Sequence, residues 1–200
     1  YEKTVGLFKK HWGDMKATPE LKHPTFEKLA PIAAPISVDV YGSDKEFITL
    51  AYRLDGKKSN DADYGELMAN LLSNGKAGLI DLNLVQEQKI LDARAGVDFM
   101  NDYGKLTVRA TLREGQTMAE AEALIISQIE LIKKGEFEDE TFNAIVNNLR
   151  KNEIQSNENN WRVYKLLDAF ISDIAWNEQA ERLSRLDAIT KEGMVKFANE

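Results

Sequence analysis

Ala93-Arg94-Ala95-Gly96-Val97-Asp98-Phe99-Met100-Asn101-Asp102-Tyr103-Gly104-Lys105-Leu106-Thr107-Val108-Arg109-Ala110-Thr111-Leu112-Arg113 is the stretch that decides the fold. It holds two runs with a period of two, joined at a turn. Ala93, Ala95, Val97 and Phe99 share one strand face. Asn101 to Gly104 supply the turn residues. Leu106, Val108, Ala110 and Leu112 share the matching face of a second strand, and Thr107, Arg109, Thr111 and Arg113 point the other way. One apolar and one polar face is what an antiparallel sheet covered on a single side requires.

The chain turns helical beyond this pair. Thr117 and Glu120 have capping-box spacing, and Met118, Ala121, Ile125, Ile129 and Ile132 follow as a stripe that ends at Gly135. A second helix is expected over 139–156, with Phe142, Ile145, Val146 and Leu149 inward. A third is expected over about 161–175, through Val163, Leu166, Leu167, Phe170 and Ile174. Thr190 is placed to cap a last short helix ending in Phe197.

Before the pair, Tyr64, Leu67, Met68, Leu71 and Leu72 form a helical stripe stopped at Asn74-Gly75, and 79–88 reads as a further helix. Ile36, Val38 and Val40 alternate with polar residues. With the turn Gly42 to Lys45 and the β-rich run Phe47 to Leu54, they predict a hairpin. All four prolines (Pro19, Pro24, Pro31 and Pro35) lie between Met15 and Pro35, which favours an extended linker. Val5, Phe8 and Trp12 mark a short opening helix. The expected organisation is a helix end, truncated on its N-terminal side, at 1–14; a Pro-rich linker at 15–35; and one domain at 36–200. The expected fold class is α+β in two layers: an antiparallel sheet with helices packed on one face, plus additional C-terminal helices.

Hydrophobic residues make up 43% of the chain and charged residues 30%, so there is material for a core. A net charge of −7 argues against a nucleic-acid partner. The absence of cysteine removes disulfides, thiolate nucleophiles and cysteine metal sites. It leaves the compartment open, since a periplasmic protein can also lack cysteine. No apolar run approaches the roughly 20 residues of a membrane span. The start at Tyr1, without methionine, reads as a cut through a longer chain.

Chemical motifs are lacking. The two histidines, His11 and His23, stand in neither H-x-x-E-H nor H-E-x-x-H and read as surface or capping residues. There is no G-x-S-x-G elbow, and Gly75-Lys76-Ala77-Gly78 lacks phosphate-loop spacing. Glu136, Glu138, Asp139 and Glu140 precede a helix, where the dipole favours acids. Arg150 to Glu153 reads as a solvated helix face, and Trp161 and Trp176 as packing residues.

Several patches together resemble the C-terminal half-domain of pitrilysin/insulinase-type (inverzincin) zinc metallopeptidases. They are Thr4 to Gly13, a helix ending in an aromatic-glycine pair before a proline-rich linker; Phe47 to Leu54; Leu71 to Gly75 with Leu79 to Leu91; Met100 to Gly104; and Gly135 to Phe142. The resemblance implies one domain of a clam-shell peptidase that encloses a peptide substrate. The zinc and its H-x-x-E-H helix would lie elsewhere in the parent, so no cofactor is expected here. The family pairs an arginine with a tyrosine seven residues later to assist substrate. The matching positions are Gln86 and Ala93, and neither keeps that chemistry, although both remain substrate-facing candidates. Two alternatives stand beside this: a domain of a non-catalytic partner subunit of the same fold, and an unrelated α+β binding module. Expected partners are peptide substrate and other domains of the same parent, with self-association through an exposed domain interface. A periplasmic or cell-envelope location would suit a bacterial parent.

Overall fold

The structure is a computed structural model that describes residues 1–16, 18, 24, 26–158 and 162–200. Pro19, His23 and Trp161 lie outside the described residues. The chain divides into two compact units, Tyr1–Gly42 and Ser43–Glu200.

The first unit contains helix α1 (Glu2–Trp12), and none of its residues is buried. Phe8 and Trp12, one turn apart, bring their rings to 5.0 Å. Ile36, Val38 and Val40 correct the reading of an upstream strand: they form none and are 81%, 77% and 86% exposed. A five-residue alternation becomes a strand only with a ladder partner. The run it was expected to join pairs elsewhere.

In the second unit, β1 (Phe47–Asp55), β2 (Asp92–Phe99) and β3 (Tyr103–Thr111) form an antiparallel sheet in the order β1-β3-β2. The β2–β3 hairpin is the one expected, and its turn closes with Met100 N–H donating to Tyr103 O at 2.8 Å. Glycine is required at two nearby points. A Cβ on Gly56 would come 2.1 Å from the Asn101 carbonyl oxygen, and one on Gly104 would come 2.4 Å from the Phe99 ring.

One face of the sheet builds the core. Leu50 and Ala95 flank Val108, and Ala93 lies opposite Ala110. Helices α2 (Asp61–Leu72) and α3 (Met118–Lys134) cover this face. Leu67, Leu71 and Leu72 from α2 and Ile125 and Ile132 from α3 are at most 1% exposed. Each such side chain stabilises the fold by about 1.5–3 kcal/mol. The capping box on α3 forms as expected, and Gly135 ends the helix in the left-handed conformation. The Thr117 N–H and hydroxyl hold the Glu120 carboxyl below the usual glutamate range.

Between α2 and β2 the expected helix is a π-helical turn, Asp81–Gln86. Buried Asp81 accepts hydrogen bonds from Ser73 Oγ (3.0 Å), Asn74 N–H (2.8 Å) and Gly78 N–H (3.2 Å). This satisfies a carboxylate that would otherwise be costly to bury.

Helix α4 (Asp139–Glu158) packs on α2 through Phe142, Ile145 and Leu149. Helix α5 (Arg162–Ile171) forms within the expected range, and its apolar stripe is exposed. Val163, Leu166, Leu167 and Phe170 are 66%, 48%, 52% and 85% exposed, and Ala169 is its one buried residue. Two short helices follow, α6 (Trp176–Ala180) and α7 (Arg182–Asp187), neither of which the sequence pattern predicts. The last, α8 (Lys191–Asn199), starts at the expected cap, with Thr190 Oγ accepting from Gly193 N–H at 3.0 Å. Its Phe197 stacks on Tyr64, centroids 5.5 Å apart.

A buried charge cluster fastens these helices. Arg182 of α7 reaches Asp63 (3.2 Å), Glu66 and Glu153 (3.0 Å). Arg185 reaches Asp63 at 2.8 Å, and Lys165 reaches Glu153 at 2.5 Å. Glu153, read as part of a solvated face, is 5% exposed. Burial pushes its carboxyl up, but hydrogen bonding to Lys165 and the charge of Arg182 outweigh that and hold it below the glutamate range.

Candidate functional site

Among the described residues of the second unit no helix packs on the other face of the sheet, and strand alternation decides what that face displays. Because Ala93, Val108 and Ala110 point into the core, their neighbours point out. The register arranges them in rows across the strands: Phe47, Thr111 and Asp92; then Thr49, Arg109 and Arg94; then Ala51, Thr107 and Gly96; then Arg53, Lys105 and Asp98. Arg109 extends its guanidinium over the Phe47 ring at 3.8 Å, and Arg53 lies 5.5 Å from the Tyr103 ring centroid. Lys105 pairs with Asp98 at 3.3 Å, and Arg94 approaches Asp92 only to 3.7 Å. The row Ala51-Thr107-Gly96 is low, and Thr107 Oγ1 donates to Gly96 O at 3.3 Å.

Among the described residues both outer strands, β1 and β2, have a ladder neighbour on one side only. An exposed strand edge offers backbone N–H and C=O groups to an added extended peptide. Open clefts lie beside the sheet. One of about 560 Å³ is lined by Lys89, Arg113, Gln116 and Glu120. Another of about 520 Å³ is lined by Lys57, Phe99, Tyr103 and Asp168.

The two positions singled out in sequence are separated in their surroundings. Gln86 is exposed at the end of the π-helical turn and donates from Nε2 to Lys76 O at 3.3 Å. Ala93 is 3% exposed, on the core face of β2. His11 is exposed in α1, 5.8 Å from the Trp12 ring. Among the described residues no three His, Cys, Asp or Glu side chains converge as metal ligands. Asp139 of the acidic run is held at 2.6 Å by Lys191, whose ammonium also donates to Phe137 O at 2.7 Å. Sequence reasoning found the outward set with Arg109. It did not find the cross-strand partner Arg94, which the strict alternation around Ala93 and Ala95 already marks as outward.

The family model for the peptidase M16 inactive domain matches residues 1–149. The chain belongs to that family. The resemblance read from the sequence patches is thereby borne out, and the reading as an unrelated binding module falls away. A search of curated proteins finds no match. Among solved structures, this M16 inactive domain is similar to a protease from Helicobacter pylori, with TM-score 0.83 and 20% identity over 99% of this chain and 49% of that one. It is similar to a peptidase M16 inactive domain from Pseudomonas fluorescens, with TM-score 0.67 and 13% identity over 76% of this chain and 37% of that one. It is also similar to the periplasmic protease PqqL from Escherichia coli, with TM-score 0.66 and 16% identity over 99% of this chain and 24% of that one. The chain thus spans about half the length of the Helicobacter protease. Among the described residues no helix is long and apolar enough to cross a membrane.

Proposed function

We propose that this chain is the non-catalytic domain of a zinc metallopeptidase, enclosing and holding a peptide substrate that a zinc site elsewhere in the parent hydrolyses. The observation that carries this reading is the uncovered sheet face with its single-sided outer strands in a member of the M16 inactive-domain family. A low row flanked by taller polar rows suits an extended peptide backbone. Among the described residues no three His, Cys, Asp or Glu side chains stand together as a zinc site needs, and His11 stands in α1. When bound in such a parent, the metal polarises a peptide carbonyl and activates water. This domain would bind, orient and shield. Of the two positions matching the family pair, Gln86 alone presents a side chain to solvent, and an amide there can donate to a substrate carbonyl.

The exposed apolar side of α5 belongs to the same proposal. Val163, Leu166, Leu167 and Phe170 are the face offered to the rest of the parent, whose Helicobacter counterpart is about twice as long as this chain. In its absence the face would drive self-association. A periplasmic or cell-envelope setting is supported by the likeness to the Escherichia coli protease.

The test is turnover of a mixed peptide pool by this chain and by the full-length parent. Turnover by the parent alone, abolished by a chelator, is the expected result. Chelator-sensitive turnover by this chain overturns the reading. Silence in both would favour the domain of a non-catalytic partner subunit.

A further inference from the structure

Resting on the substrate-enclosing reading, we propose that the open sheet face selects peptides bearing a carboxylate, received by the paired guanidinium groups of Arg94 and Arg109.

Two adjacent features of this face work against the fold's own stability. The first is the arginine pair. Arg94 and Arg109 are direct register partners on neighbouring strands. Like charges placed directly opposite destabilise a ladder. Among the described residues little offsets this: Arg94, 83% exposed, has one carboxylate in range, Asp92 at 3.7 Å. Among the described residues Arg109 has no carboxylate within ion-pair distance, and its contact is with the Phe47 ring. The second feature is Gly96, inside β2 and in the next row. A Cβ there would meet nothing within 4 Å, so packing does not demand glycine. Glycine inside a strand weakens it and marks places where a ligand or another backbone approaches closely.

A bound carboxylate accounts for both. Stacking on Phe47 fixes the plane of the Arg109 guanidinium and leaves its N–H groups free to grip a carboxylate bidentately. With the Arg109 guanidinium over Phe47 of β1 and Arg94 on β2, an anion above β3 is reached from both sides, and the repulsion between the two cations becomes attraction to a shared ligand. The low row beside them, Ala51, Thr107 and Gly96, lets the peptide backbone lie close to the sheet. Since the whole chain carries −7, long-range attraction of an acidic peptide is weak. Selectivity therefore rests on these short contacts and is salt-sensitive.

The carboxylate can be an acidic side chain or a peptide C-terminus, and three rhodamine-labelled ten-residue peptides separate them. One carries central glutamates and an amidated end, one carries glutamines and a free carboxylate end, and one carries glutamines and an amidated end. Anisotropy titration against the 200-residue chain is expected to favour one of the first two over the third by about tenfold or more, the worth of a charge-assisted contact. Arg94→Gln and Arg109→Gln should each remove that preference while leaving the third peptide's affinity unchanged. Arg94→Gln should not lower the thermal midpoint, because it relieves the cross-strand repulsion and gives up only the 3.7 Å contact with Asp92. Arg94 is on an outer strand and highly exposed, so its variant stays folded and decides the matter alone if the other does not. Equal binding of all three peptides, or a preference that survives Arg94→Gln, overturns the inference and leaves the enclosing reading intact. Binding of none overturns both.

Discussion

Replacing Arg182 with methionine should cost far more stability than the same change at Arg185, although both arginines lie on α7 and both reach Asp63. Arg182, its side chain 25% exposed, contacts three carboxylates, of which Glu153 is 4% and Asp63 12% exposed. Breaking a buried pair costs about 3–5 kcal/mol when the remaining charge is stranded. Here Glu153 keeps Lys165 and Asp63 keeps Arg185, which points to the low end, about 3 kcal/mol. Arg185 is 38% exposed, and its loss leaves Asp63 still held by Arg182, so about 1 kcal/mol is expected. At 2–4 °C per kcal/mol for a chain of this size, Arg182→Met should lower Tm by about 6–12 °C. Urea unfolding read by tryptophan fluorescence measures both variants. The pH dependence has a definite sign. Glu153 has a folded pKa below its ordinary value of 4.5, so its contribution is present above that value and lost as pH falls through the folded pKa. The gap between wild type and Arg182→Met should therefore narrow below pH 4.5. An Arg182→Met chain within 1 kcal/mol of wild type, or no more affected than Arg185→Met, refutes the argument.

Ile125→Ala removes a fully buried side chain between helix and sheet and should cost about 2–5 kcal/mol by the same urea assay. Thr117→Ala deletes the α3 cap and should cost about 1 kcal/mol, with a wild-type m-value. Sedimentation velocity should show concentration-dependent association of the chain, abolished by Phe170→Asp; at 85% exposure this residue can change without loss of Tm.

Much of the sheet was legible because its signals are local and redundant. The β2–β3 hairpin combined two alternating runs with a turn, and α3 combined a capping box, a stripe and a closing glycine. The misreadings share a cause, which is that periodicity reports a pattern and not a partner. Ile36, Val38 and Val40 alternate like a strand, yet they join no ladder, and β1 takes β3 as its partner. The stripe Val163, Leu166, Leu167 and Phe170 marks a helix without saying what covers it, and among the described residues nothing does. Glu153 looked solvated because its partners Lys165 and Arg182 lie 12 and 29 residues downstream. Helices of five and six residues, such as α6 and α7, are too short to show a period at all. The arginine pair was half visible: alternation gives each residue its face, but only the register sets Arg94 opposite Arg109.

The strand order carries a consequence for how the chain is made. The central strand, β3, is the last to leave the ribosome, and β1, the first, has no ladder partner until Tyr103–Thr111 has emerged. Hairpin closure between β2 and β3 takes microseconds, whereas β1 must wait for synthesis of the whole intervening stretch, which takes seconds. During that interval the apolar side of β1 and the stripe of α2 are exposed together. The nascent chain therefore passes through a stage whose safety depends on α2 folding back over β1 before the rest of the sheet exists.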